Sequence, residues 1–225
     1  MTGTQPGAAR SGPLPSGRHR LSREEVVASQ RLRMLTATAD AMRAKGYAGT
    51  SVADIIRRAG VSRETFYQQF RSKEDCFVQA LDAATDQLAA LLAAARQPPD
   101  GSPGPAGPEE TFRRLLRRYL HALAEHSAFA RLFLVEVYAA GSEAMARRMR
   151  WQGWFADGIA EIFPAGSGSG SGSGSGDGAE ERRFACEAVV AAAAHLVTVR
   201  LVADDLAGLR ALEDPLVRLA VRLLG

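Results

Sequence analysis

An all-α chain, with a short N-terminal helical unit followed by a larger helical body, is the fold this sequence predicts. Three observations predict it. Apolar residues recur at steps of three and four wherever the chain is not interrupted, as one face of an α-helix requires. No stretch alternates polar and apolar residues between hairpin-type turns. Gly-, Pro- and Ser-rich segments break the pattern only at 1–22, 97–108 and 164–178.

The composition suits such a chain. Of 225 residues, 46% are hydrophobic, which is ordinary for a protein that buries a real core. No apolar run approaches the roughly 20 residues that cross a bilayer, so no membrane partner is expected. The first twenty residues are rich in Gly, Pro and Ser and carry no apolar block. They read as a disordered, mildly basic arm rather than a signal peptide, which places the protein in the cytoplasm. Cys76 and Cys186 form no C-x-x-C pair and read as buried free thiols, although a redox-responsive role stays open. The net charge is +3, but residues 1–75 carry 13 Lys and Arg against 7 Asp and Glu, and the rest carries 15 against 18. A basic front suits a polyanionic partner; chance surface composition is the alternative.

The elements follow in order. Over 24–45, Ala28, Leu32, Leu35, Ala39 and Met42 form one stripe of an amphipathic helix that Gly46 closes. A short helix from Ser51 buries Val52, Ile55, Ile56 and Ala59. A third spans 62–70, and a long fourth spans 72–96. The Pro- and Gly-rich stretch 97–108 cannot continue a helix and reads as a loop. Helical periodicity resumes over 109–125, 127–139 and 142–163. The pure Gly/Ser alternation 166–176 is a flexible coil, natural or engineered. A helix over 180–205 and a last one from Glu213 to the end complete the chain.

The segment 46–77 carries the chemistry. Ser51 with Asp54, and Ser72 with Asp75, are capping-box-like pairs, and Ser62 is placed to cap the third helix. Between the second and third helices, Gly60 can take the left-handed conformation that ends a helix, and Val61 turns inward. Two short helices around such a turn make a helix-turn-helix, whose second helix can enter a DNA major groove; a plain αα-hairpin is the alternative. With Phe66 and Phe70 facing inward, Arg63, Glu64, Tyr67 and Gln68 point outward, with Thr65 and Gln69 at the margins. Arg pairs with guanine and Gln with adenine, while a Tyr hydroxyl or the Lys73 ammonium reaches phosphate.

These residues, Gly46-Tyr47, Thr50-Ser51, Ile55, Ala59-Gly60-Val61-Ser62, Thr65-Phe66-Tyr67, Phe70 and Ser72-Lys73-Glu74, resemble the DNA-binding domain of the TetR family of transcriptional regulators. The resemblance covers about residues 24–75. The chain departs from the family at Gln68-Gln69, where many members carry an aromatic residue or His. The resemblance implies a basic arm (1–22), a helix-turn-helix domain (23–75) and a helical ligand-binding and dimerisation domain (76–225). It implies a homodimeric repressor, paired through about 180–225, that a small ligand releases from a palindromic operator in double-stranded DNA. The DNA contacts it implies are Thr50, Ser51, Ser62, Arg63, Thr65, Tyr67, Gln68, Gln69 and Lys73. Arg10, Arg18, Arg20 and Arg23 either reach a neighbouring groove or belong to a plain tail.

For the body, Leu196, Val199, Leu216, Leu219, Val221 and Leu223 offer apolar area to a second copy or to the monomer's own core. Aromatic and His residues in the central helices, Phe112, Tyr119, Phe129, Phe133, Tyr138, Trp151, Trp154, Phe155 and His195, are candidates to line a pocket for a small, mainly apolar ligand. Catalysis has little to stand on. His121 and His126 are five apart and share no helical face, and no H-E-x-x-H, G-x-S-x-G, P-loop or C-x-x-C motif occurs. No metal or cofactor is expected. A helical ligand-binding or adaptor protein without DNA function is the alternative from another class, and an activator is the alternative within the regulators.

Overall fold

The computed structural model describes residues 22–96, 107–164 and 177–225. The expectations for 1–21, 97–106 and the Gly/Ser run fall outside them. Among the described residues every regular element is helical, in the order α1 (Arg23–Gly49), α2 (Val52–Ala59), α3 (Arg63–Gln69), α4 (Lys73–Arg96), α5 (Pro108–Glu125), α6 (Ser127–Leu134), a 3₁₀ turn (Glu136–Ala139), α7 (Ser142–Ile162), α8 (Asp177–Val202), α9 (Leu206–Arg210) and α10 (Glu213–Leu224).

Local chemistry sets most of the boundaries. Gly46 breaks α1 with φ 71°, and the chain makes one more turn before Thr50. The Ser51 hydroxyl accepts from the Asp54 amide at 3.2 Å while Asp54 accepts from the Ser51 amide at 3.0 Å, a complete capping box on α2. Gly60 sits at φ 63°, ψ 41°, the left-handed cap between α2 and α3. Ser62 and Ser72 cap α3 and α4 through the Thr65 and Asp75 amides, each at 3.0 Å.

Two apolar cores share the molecule. The front core joins Met34, Met42, Ile55, Phe66, Phe70, Phe77 and Leu81 to Leu132 and Val137. It therefore runs past position 75 into α4, α6 and the 3₁₀ turn, so the helix-turn-helix is seated on the body rather than hung from it. The rear core gathers Phe112, Leu116, Leu120, Leu134, Ile159, Val189, Val197, Leu201 and Leu216 from α5 to α10. Phe133 packs against both. Arg117 on α5 pairs with Glu213 on α10 through two bonds of 2.6 and 2.9 Å, pinning the last helix.

Four features differ from the sequence reading. The expected helix 127–139 breaks at Val135, because Arg148, only 5% exposed, donates to the Phe133 carbonyl at 2.8 Å and so satisfies an acceptor freed at the end of α6. The short helix α9 precedes α10, capped by the Asp205 side chain on the Gly208 amide. The α1 stripe buries Leu35, Ala39 and Met42, whereas Ala28 is exposed and Leu32 stays 64% exposed. Finally, α8 is long and apolar enough, by length and composition alone, to cross a membrane. Here Val189, Val197 and Leu201 on it are buried in the rear core.

Candidate nucleic-acid interface and ligand cavity

The helix-turn-helix presents one polar face. Ser51, Ser62, Arg63, Tyr67 and Gln68 are exposed, and Thr65 and Gln69 are half-buried beside them. Phe66 beneath is fully buried and meets the Tyr67 ring edge-on at 5.4 Å, which orients Tyr67 outward. The Arg63 guanidinium lies 5.4 Å from the Tyr67 ring centroid. That stacking holds two side chains of different recognition chemistry together on the outer surface of α3.

Two expected DNA residues sit deeper. Thr50 is 3% exposed, and its hydroxyl donates to the Gly46 carbonyl at 2.8 Å, closing the end of α1. Lys73 is half-buried; it donates to the Tyr47 carbonyl at 2.8 Å, with its ammonium 4.1 Å from the Tyr47 ring centroid. Both brace the Gly46–Tyr47 turn, a placement that their sequence neighbours did not signal. Conversely, Arg57 and Arg58 in the last turn of α2 and Arg71 before α4 are exposed cations bordering the same face. Only their charge marked them in the sequence.

Asp54 is the electrostatic node of the unit. It accepts from Lys45 at 2.6 Å, from Arg57 at 2.5 Å and from Ser51, and these hydrogen bonds hold its carboxyl far below the usual carboxylate range. The turn is also held from the body: the Tyr47 amide donates to a Glu136 carboxylate oxygen at 2.6 Å.

Behind this unit lie two apolar chambers. The inner one, about 870 Å³ including the space open to solvent at its mouth, is bounded by α4, α5, α6, α7, α8 and α10. Its wall includes Phe112, Tyr119, Phe133, Trp154 and Phe155, with Arg96 and Gln152 as its main polar side chains. The front one, about 1260 Å³ again including its open mouth, is bounded by α1, α4, α5, α6 and Phe155 of α7 and takes in Phe129. Six of the nine candidate lining residues thus border a chamber. Tyr138 and His195 do not, since both are exposed, Tyr138 beside Arg148 and His195 on the outer side of α8. Trp151 stacks instead on Trp154 and Phe155. The contributions of α1, Leu32, Leu35 and Thr36, had no sequence signal, because that helix reads as part of the DNA-binding unit.

The apolar residues considered for pairing divide. Leu216 is 1% exposed and belongs to the rear core, and Leu219 and Val221 are partly buried against it. Leu196, Val199, Val202 and Leu223 are exposed on α8 and α10, together with Phe184 at 72%. Among the described residues no His, Cys, Asp and Glu cluster could hold a metal ion.

Residues 34–80 match the family described as bacterial regulatory proteins, tetR family. Among curated proteins none matches. Several solved structures share the fold. The fatty acid degradation regulator FadR from Bacillus halodurans superposes with a TM-score of 0.67 at 18% identity, over 87% of this chain and 95% of its own. FadR from Bacillus subtilis, solved in complex with stearoyl-CoA, gives 0.64 at 18% identity, over 84% of this chain and 97% of its own. A TetR-like transcriptional regulator from Rhodococcus sp. RHA1 gives 0.62 at 21% identity, over 90% and 97%. The family's signature thus lies on the helix-turn-helix, so residues 34–80 are a DNA-binding unit of the tetR type, and the chain as a whole shares the fold of these solved structures.

Proposed function

We propose that the protein is a cytoplasmic homodimeric repressor that reads an inverted-repeat operator and leaves it when a largely apolar ligand fills the central cavity. The observation that carries this is the placement of the cavity: its front chamber is walled by α1 and α4, the helices that support the recognition helix α3. Occupancy there bears directly on how α3 is held.

In this reading Arg63 and Gln68 contact base edges, while Ser51, Ser62, Thr65, Tyr67 and Gln69 contact the backbone or flanking bases. Thr50 and Lys73 keep the turn in shape, and Lys73 adds positive charge behind it. The second copy docks on the exposed apolar face of α8 and α10, and two-fold symmetry then sets two recognition helices on two half-sites. The apolar lining and the stearoyl-CoA complex of the Bacillus subtilis relative support an acyl-type ligand as the first class to try.

Selection of bound duplexes from a random pool, followed by titration with salt, tests the reading. A recovered inverted repeat is expected. Affinity should fall steeply with salt, and Arg63→Ala should relax preference at one base pair per half-site at a cost of roughly 1–3 kcal/mol. Failure to enrich any motif at moderate salt would overturn it.

A further inference from the structure

The two chambers adjoin each other. They share three wall residues, Tyr119, Phe133 and Phe155, and no others. Tyr119 and Phe155 meet edge-on with ring centroids 5.6 Å apart, so the wall between the chambers is a partition of aromatic rings rather than backbone. Rings of this kind give way by rotation about their side-chain bonds, whereas a helix backbone does not. Phe133 is the fixed side of the partition: Arg148 holds its carbonyl at 2.8 Å and lies 5.6 Å from its ring centroid. Phe155 is packed against Trp154 and Trp151, with ring centroids 5.1 and 6.5 Å away, which leaves Tyr119 as the ring whose rotation would open the partition.

The chambers differ in what they touch. The inner one meets no part of the DNA-binding unit, only the end of α4 and the helices behind it. The front one meets α1 at Leu32, Leu35 and Thr36. Leu32 is 64% exposed although it falls on the apolar stripe of α1, and its neighbour across the front chamber is apolar wall from α4 and α6. An exposed leucine facing an apolar void is surface that an apolar occupant would cover. Thr85 lines the same chamber with its hydroxyl proton already directed at the Leu81 and Asp82 carbonyls, each at 2.9 Å, so its donor is taken up within α4.

We propose that the effector is an elongated, mainly apolar molecule that lodges in the inner chamber and reaches through the Tyr119–Phe155 partition into the front chamber. Only the part beyond the partition carries the signal to DNA. This rests on the reading that the cavity binds a ligand, and it separates affinity from effect. A short ligand confined to the inner chamber binds the free and the DNA-bound protein alike and releases nothing; differential affinity is what shifts an equilibrium. A ligand long enough to press on Leu32 and Leu35 discriminates between the two states.

The test uses the full chain, its selected operator duplex and straight-chain alcohols from hexanol to octadecanol, titrated by calorimetry with and without the duplex. The expected result is a ratio of the two alcohol affinities near one for the short members, rising above a threshold length to about tenfold or more. Ala84→Phe, which places a ring in the front chamber, should return the long members to a ratio near one while they still bind. Should that variant fail to fold, Leu32→Ala, at an exposed position, should lower the ratio for the long members alone. A ratio that stays constant along the series, or that neither variant changes, overturns the proposal. Absence of binding by every alcohol overturns the cavity as a ligand site, and so the reading beneath it.

Discussion

Replacing Glu136 tests whether the body orients the recognition helix through a single polar bond. Its carboxylate accepts from the Tyr47 amide at 2.6 Å, across 89 residues of sequence, at the turn where Gly46 breaks α1. A charge-assisted bond of this length contributes about 1.5–3 kcal/mol, and since Glu136 is half-buried, about 2 kcal/mol is the appropriate figure for its loss in Glu136→Ala. For a chain of this size that lowers Tm by about 4–8 °C if the unit unfolds with the rest. If the turn loosens locally instead, exchange of the Tyr47 amide accelerates by about thirtyfold, the same free energy converted to a rate ratio. Glu136→Gln keeps an acceptor oxygen without the charge and should lose about half as much, on the order of 1 kcal/mol. Operator affinity should fall in the same order, Ala more than Gln, because a looser turn lets α3 sample orientations that miss the groove. Hydrogen exchange read by NMR at the Tyr47 amide is the deciding assay. Unchanged exchange there in Glu136→Ala, whatever happens to Tm, would refute the reasoning.

Other outcomes follow from particular residues. Burial pushes the Cys76 thiol up to about 12, against a smaller opposing effect of its hydrogen bond with Thr38, so iodoacetamide at neutral pH should leave Cys76 unmodified in the folded chain and label it after denaturation; rapid native labelling would favour a redox role. Asp54 is held below its ordinary range by Lys45 and Ser51, so its stabilising effect is fully present above about pH 4 and fades as the pH falls further. Asp54→Asn should therefore be less stable at neutral pH and show a flatter acid limb in thermal unfolding. Val199→Glu together with Leu223→Glu should yield folded monomers by light scattering with weakened operator binding. Leu216→Glu should instead unfold the chain, since it buries an unpaired charge in the rear core.

The helix-turn-helix was legible in the sequence because the interactions that shape it are local. Ser51 and Asp54, Ser62 and Thr65, and Ser72 and Asp75 are each three residues apart, and Gly60 needs nothing but its own missing side chain to take φ 63°. Periodicity likewise located the long helices to within a few residues, since a 3.6-residue repeat is a property of the segment itself. What lay beyond reach joins distant parts of the chain. The break at Val135 depends on Arg148 reaching the Phe133 carbonyl, 15 residues away, and Glu136 is meaningful only against Tyr47. The bond from Lys73 to the Tyr47 carbonyl likewise joins residues 26 apart. Leu216 and Leu223 are equivalent by hydrophobicity, and only the packing of α10 against α5 and α8 sends one inward at 1% exposure and leaves the other outside at 47%. The cavity is the extreme case: its walls are drawn from α1, α4, α5, α6, α7, α8 and α10. A residue's own apolar character says that it will be buried, and only the tertiary arrangement decides whether a neighbour or an empty space lies beside it.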